Sequence, residues 1–386
     1  MDHRSILLIS GVLALLLAAT AATEYLRRRP SGLDASTLAT CRSRLNAWWL
    51  LFGSLICALL LGTIATVFLF GAISFWAMRE YLTLTPTRPA DHRTLVGVFF
   101  VLTPLQFLLV GLNPDWFKGI FGVATYPVYS ALIPTLAFLI LPACVAASGD
   151  PKFFLERIAK LQVGLLICVY CLSYAPALLT TNFPNAKQTP SVPAVEAANI
   201  EEKVAGPIER TVVAMQTSAT ESVGTADAVG VENFEPEGAI STPRRTLEST
   251  NLTLLFAFVF LTQLSDVAQY LWLLAFPKRK IAPTINSNKT IDGVILGALT
   301  TSLAAVGLWY FTPFPHWWQA ALAGLIVAGM GFAGTMTTSA IKRDRGVGDY
   351  GVLVEGHNGV LDRVDSLCFA APVFYHYVLI CLTLRS

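Results

Sequence analysis

With 386 residues, 54% of them hydrophobic and only 13% charged, and a mean hydropathy of +0.59, the chain cannot be a soluble globular domain. The charged share of such domains is about 25%. Its 27 basic and 25 acidic side chains nearly balance, and no soluble basic face or aromatic-basic patch is visible, which argues against nucleic acid as a partner. What remains is an all-α, polytopic integral membrane protein.

A hydrocarbon core takes about 20 apolar residues per helical span. Apolar runs fall at 6–26, 46–80, 94–112, 126–147, 158–180, 250–275, 291–312, 317–340 and 366–384. The second is too long for one span and is expected to turn near Gly62, so nine to ten transmembrane helices are predicted. Arg4, the apolar stretch after it and Ala19-Thr20-Ala21 have the form of a secretory signal with its cleavage site. Arg27, Arg28 and Arg29 follow directly, however, which a translocated segment avoids, so the run is read as an uncleaved helix. Cys168 and Cys171 lie inside an apolar run with no charged neighbour to favour a thiolate, and are read as packing residues rather than a redox or metal pair. Residues 181–249, with several prolines and ten acids against five bases, are expected to form a disordered external loop. The expected organisation is therefore N-terminal helices over 1–180, this loop, and a C-terminal membrane region over 250–386.

Orientation follows from the basic residues, because short cytoplasmic loops retain positive charge. Segments 24–45, 79–93, 149–160 and 276–290 and the polar stretch after the 317–340 run emerge on one side, and hold 19 of the 27 Lys and Arg. That side is expected to be the cytoplasm.

Ser339 to Ser366, SAIKRDRGVGDYGVLVEGHNGVLDRVDS, departs from the apolar background. On a continuing helix, Thr335, Ser339 and Lys342 share one face. Lys342, Arg343, Arg345 and Arg363 offer donors for phosphate oxygens, and Asp349, Asp362 and Asp365 offer hard oxygens for a cation such as Mg²⁺. Together these equip a site for phosphoryl or nucleotidyl transfer; on composition alone, a salt-bridged cytoplasmic loop is the alternative. A second cluster lies upstream. Asp266 is an ionisable group at membrane depth, by default a functional-site candidate, with Gln263 and Tyr270 on its face. Its helix delivers FPKRKIAPTINSNKTIDG to the same side as the polar stretch.

These residues resemble the phosphatidate cytidylyltransferases (CDP-diacylglycerol synthases). In that family a Ser-x-x-Lys-Arg is followed by Lys-Asp, His-Gly-Gly and Asp-Arg-x-Asp; Ser339, Lys342, Arg343, Asp349, His357, Gly359, Asp362, Arg363 and Asp365 fall on the pattern at its spacing. SDVAQY (Ser265–Tyr270) and NSNKTIDG (Asn286–Gly293) are similar to the family's Asp-x-x-x-Tyr helix and Ser-Pro-x-Lys-Thr-x-Glu-Gly loop, and FLERIAKLQVGLLICVYCLSYAPALL is similar to a bacterial branch. The resemblance implies attack of phosphatidate on the α-phosphorus of CTP in a bacterial inner membrane. It assigns Lys342, Arg343, Asp349, Asp362 and Arg363 to catalysis. Asp266, Tyr270, Lys289, Ser339, His357, Gly359 and Asp365 fall to substrate binding, and Asp362 with Asp349 to Mg²⁺. CTP, phosphatidate and membrane lipid are the implied partners, and a homodimer is an assembly the sequence leaves open.

The chain departs from the pattern at four places. Gly334-Thr335 stands where the family has Gly-Asp, Gly348 where it has Lys, Asn358 where it has Gly, and Asn286-Ser287 where it has Ser-Pro. Loss of the carboxylate at 335 is expected to weaken divalent binding. A paralogue that binds nucleotide or acidic lipid with little turnover is therefore the second reading. A transporter would use Asp266 as a coupling site, but no matched pair of broken helices is visible. A zinc hydrolase around His357 lacks a second well-placed histidine.

Overall fold

The computed structural model describes residues 3–28, 35–84, 88–112, 114–122, 124–181, 243–276, 279–347 and 359–383. Among them the apolar runs fold as helices. These are α1 (His3–Arg28), α2 (Ala35–Leu61), α3 (Thr63–Thr83), α4 (His92–Gly111), the short α5 (Pro114–Phe121), α6 (Thr125–Ala146) and α7 (Phe154–Thr180), followed by α8 (Pro243–Ala275), α9 (Ile291–Gly307), α10 (Trp317–Asp344) and α11 (Leu361–Thr383). Among the described residues eight helices are long and apolar enough to cross a membrane, and α3 and the 17-residue α9 pack among them. The protein is an all-α polytopic membrane protein.

Backbone chemistry explains the joints. Gly62 separates α2 from α3 at φ 108°, a conformation open to glycine because it has no Cβ. Wide π-type turns occur at Val98–Leu102, Leu132–Ala137 and Leu166–Cys171, within α4, α6 and α7. Pro104, Pro134 and Pro176 lie in or just beyond them. A proline gives no N–H to the carbonyl one turn back and loosens the ladder there; in α4 the Thr103 hydroxyl donates to Val98 O at 3.0 Å in compensation. Cys168 and Cys171 sit in the third of these turns, and all seven cysteines are free.

Alternating helix directions gather the polar segments at one end of the bundle, and side-chain bonds tie them there. The backbone N–H groups of Val360 and Leu361 donate to the Glu80 carboxylate at 3.0 and 2.9 Å, and Arg345 lies 3.8 Å from Glu156. At the other end Asn251 donates to Thr181 O at 2.8 Å, and Arg4 lies over the Tyr310 ring. Both flanks of residues 182–242, which lie outside the described residues, are therefore at the end away from the charged segments. The most enclosed spanning helices are α8 and α7, and the least enclosed is α1. A two-stranded antiparallel hairpin follows α8, β1 (Lys280–Ala282) against β2 (Asn286–Thr290), with Lys280 opposite Thr290 and Ala282 opposite Asn286.

Candidate functional site

Helices α8 and α9 meet through small residues. A Cβ on Gly293 would stand 3.0 Å from Gln269 O, and one on Gly297 would stand 2.6 Å from Gln269 Cγ. Only glycine allows this approach, the small-xxx-small device of membrane helices. Thr290, the last residue of β2, caps α9 by accepting the Gly293 N–H at 3.1 Å. The residue before it is thereby aimed inward: Lys289 Nζ donates to Gln269 Oε1 at 2.7 Å and lies 3.6 Å from Asp266 Oδ1. The charge of Asp266, within the apolar helix α8, is thus met by a lysine delivered from the hairpin.

A second glycine contact seats α10 on α11. A Cβ at Gly334 would fall 2.6 Å from Asp365 O and 3.1 Å from Phe369. Next to this crossing, hydroxyls link the two helices to α8. Thr335 Oγ1 is 3.1 Å from Ser366 Oγ, Ser366 Oγ donates to Asp266 Oδ2 at 2.6 Å, and Thr338 Oγ1 donates to Asp365 Oδ2 at 2.9 Å. Lys342 Nζ donates to Asp362 Oδ1 at 2.6 Å across the same crossing. The face shared by Thr335, Ser339 and Lys342 therefore exists, and it ends at α10's last turn, beyond which Gly346 turns the chain at φ 70°.

These elements enclose a cavity of about 410 Å³. Its walls include Asp266, Tyr270, Lys289, Asp362, Arg363 and Asp365 from the residues singled out by sequence, with Gln263, Thr335, Asn286 and Asn288. Lys342 reaches it through Asp362. Ser339 is buried beside it, donating to Thr335 O at 2.6 Å and accepting from Asn286 Nδ2 at 3.0 Å, so it fastens the hairpin to α10. Arg343 donates to Ile285 O at 3.4 Å in the hairpin turn, and Gly359 is buried just before α11. Asp349 and His357, with Gly348, lie outside the described residues. Among the described residues no three His, Cys, Asp or Glu side chains gather closely enough to hold a metal ion. The carboxylates on the cavity wall are those of Asp266, Asp362 and Asp365.

Three features were missed by sequence reasoning. The α2 wall is one: Ser43, Arg44, Ala47, Trp48 and Leu51 line the cavity, and the Arg44 guanidinium carbon lies 4.5 Å from the centre of the Tyr270 ring. Glu80 is the second, buried at the end of α3, where its carboxylate caps the helix that presents Asp362. The third is a buried ion pair at the start of α7, where Arg157 donates to both oxygens of Asp91 and to Asp150 O at 2.7 Å. Arg88 donates in turn to Asp150 at 2.6 Å, and this contact lowers the Asp150 carboxyl below its usual range. The sequence signal available for all three was a charged residue at the edge of an apolar run.

Residues 42–381 match the cytidylyltransferase family. A protein of Escherichia coli K12 named uncharacterized protein YnbB is 28% identical over 376 residues, 97% of this chain and 98% of that protein. The phosphatidate cytidylyltransferase of Synechocystis is 41% identical over 100 residues, 25% of this chain, and that of Staphylococcus haemolyticus is 34% identical over 121 residues, 31% of this chain. The alignments cover 34% and 46% of those two enzymes.

Proposed function

We propose, from the premise that this chain belongs to the cytidylyltransferase family, that it transfers the cytidylyl group of CTP to phosphatidate at the cytoplasmic face of a bacterial inner membrane. The products are CDP-diacylglycerol and diphosphate. The observation that carries this reading is the convergence of Asp266, Lys289, Asp362 and Arg363, from three separate segments, on one cavity at the charged end of the bundle. A phosphate oxygen of the lipid attacks the α-phosphorus of CTP, a new P–O bond forms, and the bond to the β-phosphate oxygen breaks as diphosphate leaves. The nucleophile is already ionised near neutral pH, its second pKa being about 6, so no protein base is required. The work left to the chain is positioning and charge neutralisation. Lys289, Arg363 and Lys342 supply positive charge, while Asp266 and Asp362 hold the two lysines in place. Asp362, with Asp349 beyond the described residues, would hold Mg²⁺, which supplies further neutralisation of the nucleotide phosphates.

One observation favours a second reading, a family member that binds nucleotide or acidic lipid with little turnover. Position 335, a carboxylate in the family pattern, is a hydroxyl bonded to Ser366. Purified protein in detergent with Mg²⁺, labelled CTP and phosphatidate distinguishes the two. Lipid-extractable label above a no-enzyme control supports transfer; none, with CTP binding intact, supports the second reading.

A further inference from the structure

Among the described residues, two arginines line the cavity, Arg44 of α2 and Arg363 of α11. Its lysine is already engaged, Lys289 by Gln269 and Asp266, and Lys342 beside it is engaged by Asp362. Among the described residues, Arg44 has no carboxylate within ion-pair distance. It lies instead over the face of Tyr270, 4.5 Å from the ring centre. Stacking of this kind fixes the guanidinium plane and leaves its N–H fork available for an oxyanion.

Inward from Arg44, the same face of α2 changes character. Ala47, Trp48 and Leu51 follow at i+3, i+4 and i+7, one helical stripe, and all line the cavity. The wedge between α2 and α8 closes where Phe52 meets Phe256 and Phe260, at ring-centre separations of 5.5 and 6.4 Å. A cationic fork at the polar end with an apolar track leading away from it matches a phosphate monoester carried on hydrocarbon better than a soluble phosphate. We propose that Arg44 is the head-group receptor for the lipid substrate: its guanidinium binds the lipid phosphate, Tyr270 holds it in plane, and the lipid's first carbons lie along Ala47, Trp48 and Leu51. The identity of the lipid as phosphatidate rests on the function proposed above; the binding of a lipid phosphate by Arg44 does not require turnover.

The test is binding without CTP, using fluorescent phosphatidate and the full chain in mixed micelles, with diacylglycerol and glycerol 3-phosphate as competitors. Unaltered protein is expected to prefer phosphatidate to diacylglycerol and to resist displacement by glycerol 3-phosphate at equal concentration. Arg44→Gln should weaken phosphatidate binding about tenfold or more, the loss of a charge-assisted hydrogen bond, and leave CTP binding unchanged. Arg44→Lys, which keeps the charge and loses the fork, should give a smaller loss with an unchanged thermal unfolding midpoint, and it decides the matter if the glutamine variant does not fold. Unchanged phosphatidate affinity in either variant, equal affinity of the unaltered protein for diacylglycerol, or equal displacement by glycerol 3-phosphate overturns the proposal. So does loss of CTP binding in Arg44→Gln, which would assign the residue to the nucleotide. Absence of cytidylyl transfer with these binding results intact would contradict the catalytic reading alone.

Discussion

Thr335 lies 3.1 Å from Ser366, whose hydroxyl donates to Asp266 at 2.6 Å. A carboxylate there would stand close to Asp266, and like charges at that range repel unless a cation joins them. Thr335→Asp is therefore expected to lower the thermal unfolding midpoint without divalent ions, to recover it with Mg²⁺, and to lower the Mg²⁺ concentration for half-maximal transfer. An unchanged Mg²⁺ dependence would mean that the site is built around the threonine. Asp362 has a different weight, because it both faces the cavity and holds Lys342 at 2.6 Å. Asp362→Asn should cut transfer by on the order of 10²-fold or more while the protein still purifies folded, and Asp266→Asn should also impair it. Full activity in both variants would put the site elsewhere.

The elements that carry these residues are spaced by glycine and pinned by caps. Gly334→Ala drives a Cβ to 2.6 Å from Asp365 O and should destabilise the protein by about 1–3 kcal/mol. Gly329→Ala, in the same helix with nothing within 4 Å, should be neutral or stabilising by up to about 1 kcal/mol; thermal unfolding in detergent separates the two. Glu80→Gln weakens the cap on α11 and should cost about 1 kcal/mol and reduce transfer, since that cap orients the turn before Asp362. How much of this was legible in sequence depends on range. Helix number, the turn at Gly62 and the place of Asp266 within an apolar helix are written in local hydropathy and could be read directly. So could the common face of Gln263, Asp266 and Tyr270, all of which reach the cavity. The hairpin could not, because its five-residue β2, NSNKT, is polar and lacks the β-branched alternation that marks a strand. Glu80, Arg44 and the Asp91–Arg157 pair act across tens to hundreds of residues of chain, and no local pattern announces such partners.

For the whole molecule, the charged end of the bundle holds the cavity, and the flanks of 182–242 lie at the opposite end. Replacing 182–242 by a short Gly/Ser linker should leave folding and transfer largely unchanged. In sealed cells an external protease is expected to cut within 182–242 and to spare 276–290; cleavage in the latter would reverse the orientation assigned from the basic residues. The most direct test of the chemistry follows the two ends of the nucleotide through one reaction. Purified protein is given phosphatidate, Mg²⁺ and CTP labelled either at the α- or at the γ-phosphorus, and lipid extract and aqueous phase are counted. Cytidylyl transfer requires α-label in the lipid and γ-label in aqueous diphosphate, in equal amounts and only when phosphatidate is present. Label in the lipid from the γ-position, or none from the α-position while CTP still binds, would contradict it.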